Sequence, residues 1–184
     1  IYFSKRVTRA VPDGDPIEAH TDLVKKLDYE CELAVVLGKD ARDVPAGQTR
    51  DYIFGYTILN DVSARDVQTA HKQWYFGKSL DGFTPIGPCI VTADAFADYP
   101  PRLGIRSFVN GEKRQDSNTA LQIFDIDHVI AELSQGMTLK AGTIIATGTP
   151  AGVGMGMDPP QFLKPGDVVR CEIDGIGTLT NPVK

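Results

Sequence analysis

The segment from Asp28 to Gly38 constrains the fold of this chain more than any other part of the sequence. It reads Asp-Tyr-Glu-Cys-Glu-Leu-Ala-Val-Val-Leu-Gly, and the side chains of a β-strand alternate between two faces. Glu30 and Glu32 therefore share one face, and that face continues as Ala34 and Val36. Because both faces carry apolar residues, the pattern predicts a central strand that is covered on both sides.

Two glutamates on a covered strand face need a positive partner. An isolated Glu-x-Glu more often faces solvent, but Glu30 and Glu32 continue into an apolar face. Two like charges about 5 Å apart repel by ~3 kcal/mol at an effective dielectric constant near 20. Either one carboxylate binds a proton, or a cation lies between the two.

Asp61 is a third carboxylate at the end of a second predicted strand, residues 52–59. It could cap the helix that we predict over residues 63–72, or it could join the two glutamates. In the second case three hard oxygen ligands would converge, which suits Mg²⁺ or Mn²⁺ and not zinc. The sequence leaves both interpretations open.

Residues suited to an anionic ligand follow Asp61 closely. Arg65 and Gln68 are three residues apart, so they share a face of the predicted helix. Lys78 lies in a predicted turn-rich loop between aromatic residues, which favours a buried side-chain stem over a solvated surface charge. The segment 147–154, Thr-Gly-Thr-Pro-Ala-Gly-Val-Gly, lets backbone N–H groups approach a ligand or forms a plain turn.

Frequent turn signals predict a single domain, residues 1–184, that is mainly β with few helices (α+β), its strands folded into a roll or a barrel. Asn110-Gly111 and Asp174-Gly175 are typical of tight hairpins. A second helix is predicted over residues 126–135, with Asp125 as its N-cap and Gly136 as its stop.

Composition excludes several classes of protein. A net charge of −5 argues against a nucleic-acid binder, and no apolar run approaches the length of a membrane span, so we expect a cytoplasmic protein. Three scattered cysteines favour a reducing compartment and buried packing roles over a disulfide or zinc framework. The histidines, whose spacing fits no metal site, are His20, His71 and His128.

Taken together, these motifs resemble those of the fumarylacetoacetate hydrolase family, in the same order along nearly the whole chain. The matching segments are residues 28–39, 54–56, 60–68, 77–79, 109–112, 147–154, 163–167 and 176–177.

The resemblance implies a mixed β-roll or barrel-like sandwich and a homodimer. It also implies that Glu30, Glu32 and Asp61 hold Mg²⁺ or Mn²⁺, which Ca²⁺ could replace in a crystal. Lys78 would be the catalytic residue and would contact the substrate together with Gln68 and Thr149, while Arg65 would support the site by pairing with a nearby carboxylate.

The substrate implied is a small 2-oxo acid, a 1,3-diketo or 2-hydroxydienoic acid that chelates the cation and reacts through an enolate. Hydrolysis of a C–C bond in an acylpyruvate or fumarylpyruvate is the first expectation. Isomerisation or decarboxylation of a 2-hydroxyhepta-2,4-diene-1,7-dioate type of acid, in the catabolism of aromatic compounds, is the alternative.

Hydrolases and decarboxylases of this family usually carry a His–Glu pair on a mobile segment that precedes the region matching Phe3-Ser4-Lys5. The chain begins at Ile1, and we expect that segment to lie outside these residues. Two further alternatives stay open: a non-catalytic binding domain that a metal stabilises, and a structural β-domain whose glutamates are solvated.

Overall fold

The computed structural model describes residues 1–70 and 72–184, and this part of the chain is built mainly from β-strands. The strands are β1 (Leu27–Asp28), β2 (Cys31–Leu37), β3 (Ile53–Asn60), β4 (Ser63–Ala64), β5 (Ile86–Thr92), β6 (Gly104–Val109), β7 (Glu112–Asn118), β8 (Ile144–Ala146), β9 (Val168–Ile173) and β10 (Gly177–Pro182). The helices are α1 (Arg65–Ala70), α2 (Tyr75–Lys78) and α3 (Ile126–Leu133). The predicted fold class, mainly β with few helices, is confirmed.

Two open antiparallel sheets of four strands form the body of the molecule. Their strand orders are β5-β3-β2-β8 and β10-β9-β6-β7, and β1 pairs with β4 in a separate two-stranded sheet. Apolar side chains from both larger sheets, such as Leu33 and Ile58 from one and Ile105 and Cys171 from the other, meet in a single buried cluster. The two sheets therefore pack face to face as a sandwich.

The central position of the glutamate strand is confirmed. β2 lies between β3 and β8, and all of its residues are buried. The strand is shorter than predicted, because the chain changes partners before Cys31: Leu27 and Asp28 pair with Ser63 and Ala64 instead.

The predicted hairpins and the second helix are also present. Asn110-Gly111 joins β6 to β7, and both residues have positive φ angles of 52° and 84°, as a type I′ turn requires. The carboxylate of Asp125 accepts a hydrogen bond from the backbone N–H of His128 and so caps α3. That helix ends at Leu133, earlier than predicted.

The first predicted helix, residues 63–72, needs correction. α1 begins at Arg65, because Ser63 and Ala64 belong to β4. Its predicted C-terminal end includes His71, which lies outside the described residues. Lys72 has a φ angle of 60°, which is incompatible with a continuing helix.

The cysteines follow the prediction in part. Cys31 and Cys171 are buried, whereas Cys89 is exposed, so its expected burial was wrong. Among the described residues, no helix has the length and the apolar character that crossing a membrane requires.

Candidate metal centre

Three carboxylates meet where β2 begins and β3 ends. The strands pair in a register that places Cys31 opposite Asn60, so Glu30, Glu32 and Asp61 are brought together from both sides. Each contributes an oxygen within 4.8 Å of the oxygens of the other two, and all three residues are buried. The side chain of Asn60 accepts a hydrogen bond from the N–H of Glu30 at 3.0 Å and fixes the backbone there.

Asp61 does not cap the following helix. Its carboxylate oxygens instead accept hydrogen bonds from Lys5 Nζ at 2.7 Å and from Lys78 Nζ at 2.6 Å. Ser63 and Ala64 separate it from the first turn of α1 as strand β4. Of the two interpretations that the sequence left open, the structure therefore supports the one in which Asp61 joins the glutamates.

Lys78 lies between two of the carboxylates. Its Nζ is 2.7 Å from Glu30 Oε2 and 2.6 Å from Asp61 Oδ2, and the residue is only 2% exposed. Burial by itself lowers the pKa of this ammonium group, but the attraction of Asp61 and Glu30 outweighs burial, so the pKa is raised. Lys78 is therefore a permanent positive charge at neutral pH.

Glu32 lacks a cationic partner of its own among the described residues. Its one hydrogen-bond donor there is the backbone N–H of Gly148, 2.7 Å from Oε2. Burial raises the pKa of Glu32 well above its usual value, and the charges of Asp61 and Glu30 raise it further. A divalent cation between the three carboxylates would supply the missing positive charge, so the residues fit such an ion.

Arg65 anchors the other side of the cluster. Its guanidinium group lies 2.9 Å from Asp28 Oδ2 and 2.6 Å from Glu30 Oε1, and it donates to Gln68 Oε1 at 3.2 Å. Arg65 and Gln68 therefore share a helix face, as their spacing predicts. Asp28 also accepts hydrogen bonds from the backbone N–H groups of Gly154 and Met155. It therefore links the end of the glycine-rich segment, residues 147–154, to Arg65 of α1.

Thr149 lies beside the glutamate strand. Its hydroxyl donates to the carbonyl oxygen of Cys31, the residue between the two glutamates, at 3.0 Å. It also accepts a hydrogen bond from Gln115 Nε2 at 2.7 Å. The segment 147–154 thus contacts the glutamate strand twice, at the carbonyl oxygen of Cys31 through Thr149 and at the carboxylate of Glu32 through the N–H of Gly148.

Lys78 reaches the cluster from a helix, and the predicted loop was wrong. α2 packs closely on α1, because Gly77 lies against the backbone of Gln68: a Cβ atom at Gly77 would be 2.5 Å from Gln68 N. Only glycine permits this approach. The aromatic neighbours of Lys78 gave a correct signal for a buried stem, and Phe3 adds a ring whose centroid is 5.4 Å from Lys78 Nζ.

Three residues of the centre were missed in the sequence. Lys5 pairs with Asp61 from the N-terminal segment, and burial lowers its pKa against the attraction of that carboxylate. Asp28 and Gln115 hold Arg65 and Thr149. Asp28 belongs to the informative strand segment and could have been found there, but nothing in the sequence relates Lys5 or Gln115 to residues so distant along the chain.

The charges of the centre nearly balance. Four carboxylates and three cationic side chains contact one another: Asp28, Glu30, Glu32 and Asp61 with Lys5, Arg65 and Lys78. With all of them ionised, one negative charge remains, and a divalent cation would change this to one positive charge. Such a centre is suited to a small anionic ligand.

Other candidate ligands lie elsewhere. His20 Nε2 is 2.8 Å from the carbonyl oxygen of Asp81, and His128 lies half exposed on α3 beside Glu132. His71 lies outside the described residues. Within the described ranges, the three carboxylates form the one group of potential ligands able to hold a metal ion.

Known proteins resemble this chain along nearly its whole length. A family model described as "Fumarylacetoacetate (FAA) hydrolase C-terminal" matches residues 1–184. Among curated proteins, oxaloacetate tautomerase YisK of Bacillus subtilis is 47% identical over 181 residues, which are 98% of this chain and 60% of that protein. The chain therefore spans about three fifths of the length of this relative.

Solved structures resemble the chain equally closely. A fumarylacetoacetate hydrolase from psychrophilic Exiguobacterium antarcticum is 52% identical with a TM-score of 0.91, over 94% of this chain and 62% of that one. A 2-hydroxyhepta-2,4-diene-1,7-dioate isomerase from Mycobacterium marinum is 43% identical with a TM-score of 0.82, over 94% of this chain and 64% of that one.

The close approach of α2 to α1 yields a testable expectation. We expect Gly77→Ala to lower the free energy of unfolding by about 1–3 kcal/mol, because the added Cβ would overlap the Gln68 backbone and push Lys78 away from the carboxylates. Chemical denaturation measures this. Gly156→Ala is the matched control, because its Cβ would meet its nearest neighbour at an ordinary 3.8 Å. Equal stability of the two variants would contradict the packing argument.

Proposed function

The chain belongs to the fumarylacetoacetate hydrolase family, and from this premise we propose that it forms the catalytic part of a divalent-cation-dependent enzyme that acts on small 2-oxo acids through their enol form. The observation that carries the proposal is the convergence of Glu30, Glu32 and Asp61, with oxygens within 4.8 Å of one another, beside the buried Lys78.

Keto–enol tautomerisation or a related double-bond isomerisation is the reaction we favour. It moves one proton between carbon 3 and the oxygen on carbon 2 and leaves the composition of the acid unchanged. The 47% identity with an oxaloacetate tautomerase and the 43% identity with a hydroxyheptadienedioate isomerase support this choice. Both of these names describe reactions that pass through an enol or a dienol.

Glu30, Glu32 and Asp61 would hold Mg²⁺ or Mn²⁺, since three carboxylates leave open positions that such ions fill with water or substrate oxygens. When bound, the cation supplies Lewis-acid stabilisation of negative charge that develops on the substrate oxygen. The buried carboxylates exclude bulk water from one side of this position, which strengthens the electrostatic attraction.

Lys78 would stabilise the same developing charge from the protein side. It stays protonated because two carboxylates hold it at 2.6 and 2.7 Å, so it acts as an electrostatic group and does not accept a proton. Gln68 would orient the substrate through its amide group, since its Oε1 already accepts from Arg65 and its N–H donors have no acceptor among the described residues. Arg65 holds Glu30 in place through an ion pair at 2.6 Å.

Hydrolysis of a C–C bond in an acylpyruvate type of acid is the second candidate. The relative named as a fumarylacetoacetate hydrolase, at 52% identity, favours it. The two reactions share the enolate and differ in its fate, because hydrolysis additionally needs a base that activates water for attack on the distal carbonyl carbon.

Metal binding is the first test. We expect Mg²⁺ or Mn²⁺ titrated by calorimetry to bind the wild-type protein with one ion per chain. Glu32→Gln and Asp61→Asn should each weaken binding by at least about 10-fold, because each removes one anionic oxygen ligand.

Glu18→Gln is the matched control for this titration, because the Glu18 side chain is 58% exposed and lies outside the cluster. Unchanged binding in both ligand variants would refute the metal centre. Binding without any activity on 2-oxo acids would instead favour the non-catalytic alternative.

Activity is the second test. We expect the metal-loaded protein to accelerate the conversion of enol to keto oxaloacetate, followed by the ultraviolet absorbance of the enol. Lys78→Met should lower kcat/KM by about 10²–10³-fold, since it removes a preorganised positive charge, and should leave ion binding in place. Lys140→Met, at a side chain 72% exposed, should retain full activity. An acylpyruvate that is cleaved while oxaloacetate is not tautomerised would favour hydrolysis instead.

We also propose that the protein is a homodimer, as the resemblance implies. The face of the β5-β3-β2-β8 sheet that points away from the sandwich core carries Ile90 and Ile144, which are 47% and 48% exposed. Covering such side chains would stabilise an association between copies. Sedimentation equilibrium at micromolar concentration should give twice the chain mass, and Ile144→Lys should shift the population toward monomer. A monomeric wild-type protein would contradict this part of the proposal.

A further inference from the structure

The hydrogen bonds around Thr149 have only one possible polarity. Gln115 is 1% exposed, and its Oε1 accepts from the backbone N–H of Cys31 at 3.1 Å. Its Nε2 lies 2.8 Å from the carbonyl oxygen of Pro150. A backbone N–H can only donate and a carbonyl oxygen can only accept, so these two contacts fix the orientation of the amide.

The amide of Gln115 and the carbonyl oxygen of Cys31 together set the direction of the Thr149 hydroxyl. Nε2 donates to Thr149 Oγ1 at 2.7 Å, so the hydroxyl accepts there. Its single hydrogen goes to the carbonyl oxygen of Cys31 at 3.0 Å, which cannot donate. A hydroxyl has one hydrogen and two lone pairs. With respect to residues 1–70 and 72–184, Thr149 therefore has one lone pair left and no hydrogen to give.

Thr149 lies beside the carboxylate cluster. Cys31 stands between Glu30 and Glu32, and the residue before Thr149 donates its N–H to Glu32 Oε2. Thr149 is only partly buried, so a ligand can reach it. A keto oxygen or a carboxylate would face the lone pair with a lone pair of its own, whereas a hydroxyl would donate to it.

We propose that Thr149 Oγ1 acts as a hydrogen-bond acceptor that selects ligands carrying a hydroxyl on carbon 2, such as the enol form of a 2-oxo acid, and that Gln115 is the positioning residue that holds it in this state. The inference rests on the proposed function, because it assigns the preferred tautomer at the same site. The resemblance implied only that Thr149 contacts the substrate, and the geometry adds a direction to this contact: Thr149 accepts a hydrogen bond from a hydroxyl of the ligand.

A second pair of side chains provides an internal control. Gln122 Nε2 donates to Thr147 Oγ1 at 2.7 Å, and that hydroxyl donates to the carbonyl oxygen of Leu33 at 2.8 Å. The arrangement copies that of Gln115, Thr149 and Cys31 two residues further along β2. Its hydrogen bonds go to Thr147 and Leu33 and not to Thr149, so its removal tests for general loosening of the segment.

The experiment compares the dissociation constants of lactate and pyruvate, measured by calorimetry in saturating Mg²⁺. The two acids share a carbon skeleton, but lactate can donate from carbon 2 whereas pyruvate is almost entirely in its keto form. We expect Thr149→Val to weaken lactate binding by about 5-fold and to change pyruvate binding by less than about 2-fold. Thr149→Ser, which restores the hydroxyl, should behave as wild type.

The Gln115 variant tests the positioning role. In Gln115→Met the Thr149 side chain loses the donor that holds its hydroxyl against the carbonyl oxygen of Cys31. The side chain can then rotate and give its hydrogen to a ligand, so the preference for lactate over pyruvate should shift toward pyruvate by about 3-fold or more. Gln122→Met should leave the ratio unchanged. A merely structural role of Gln115 would weaken both acids equally and would overturn the assignment.

The outcomes separate this inference from the proposed function. Wild-type protein that binds neither Mg²⁺ nor the two acids would contradict both. Normal binding of Mg²⁺ and of both acids, with the same effect of Thr149→Val on each, would overturn the tautomer preference alone. If Gln115→Met fails to fold in thermal melts, the comparison of Thr149→Val with Thr149→Ser still decides the question.

Discussion

Three carboxylates that lie within 4.8 Å of one another inside a protein repel strongly unless positive charge surrounds them. Much of the local structure supplies that charge. α2 presents Lys78 between Glu30 and Asp61, α1 presents Arg65 to Glu30, and the N-terminal segment presents Lys5 to Asp61. Glu32 is the member whose charge the side chains leave least balanced, and it therefore marks the side on which a further cation fits best.

The sandwich holds this arrangement rigid through its backbone. β2 is hydrogen-bonded on both edges and buried on both faces, so the glutamates at its start cannot move independently. The second sheet also holds the start of β2, because the side chain of Gln115 on β7 accepts a hydrogen bond from the backbone N–H of Cys31. The site thus depends on long-range pairing between segments of the chain that are far apart in sequence.

The sequence predicts the features that local periodicity and turn chemistry determine. The alternation in residues 31–37, the hairpin at Asn110-Gly111 and the cap at Asp125 were all correctly predicted, because each depends on neighbouring residues. The boundary of α1 was not, since Ser63 and Ala64 join a strand whose partner lies at residues 27–28. Lys5 and Gln115 escaped notice for the same reason: their contacts are tertiary, and single polar residues without a pattern carry no signal of their destination.

The resemblance to a known family identified the three carboxylates, Gln68, Lys78 and Thr149 as site residues. It did not show which of these side chains donate hydrogen bonds and which accept them. That direction follows only from the backbone groups at Cys31 and Pro150, which fix the Gln115 amide. A resemblance can thus name the residues of a site, while the donors and acceptors that they offer are read from the geometry around them.

Lys78 and Lys5 lie on the same carboxylates that an ion would use, and this has a consequence for the protein without metal. Small zinc modules unfold when they lose their ion, because nothing else neutralises or links their ligands. Here two ammonium groups act as resident counterions, so the scaffold would keep its shape with or without a bound ion. Binding of a cation to these carboxylates would thereby be separated from folding, and the supply of free divalent ions would govern occupancy while the amount of intact protein stays the same.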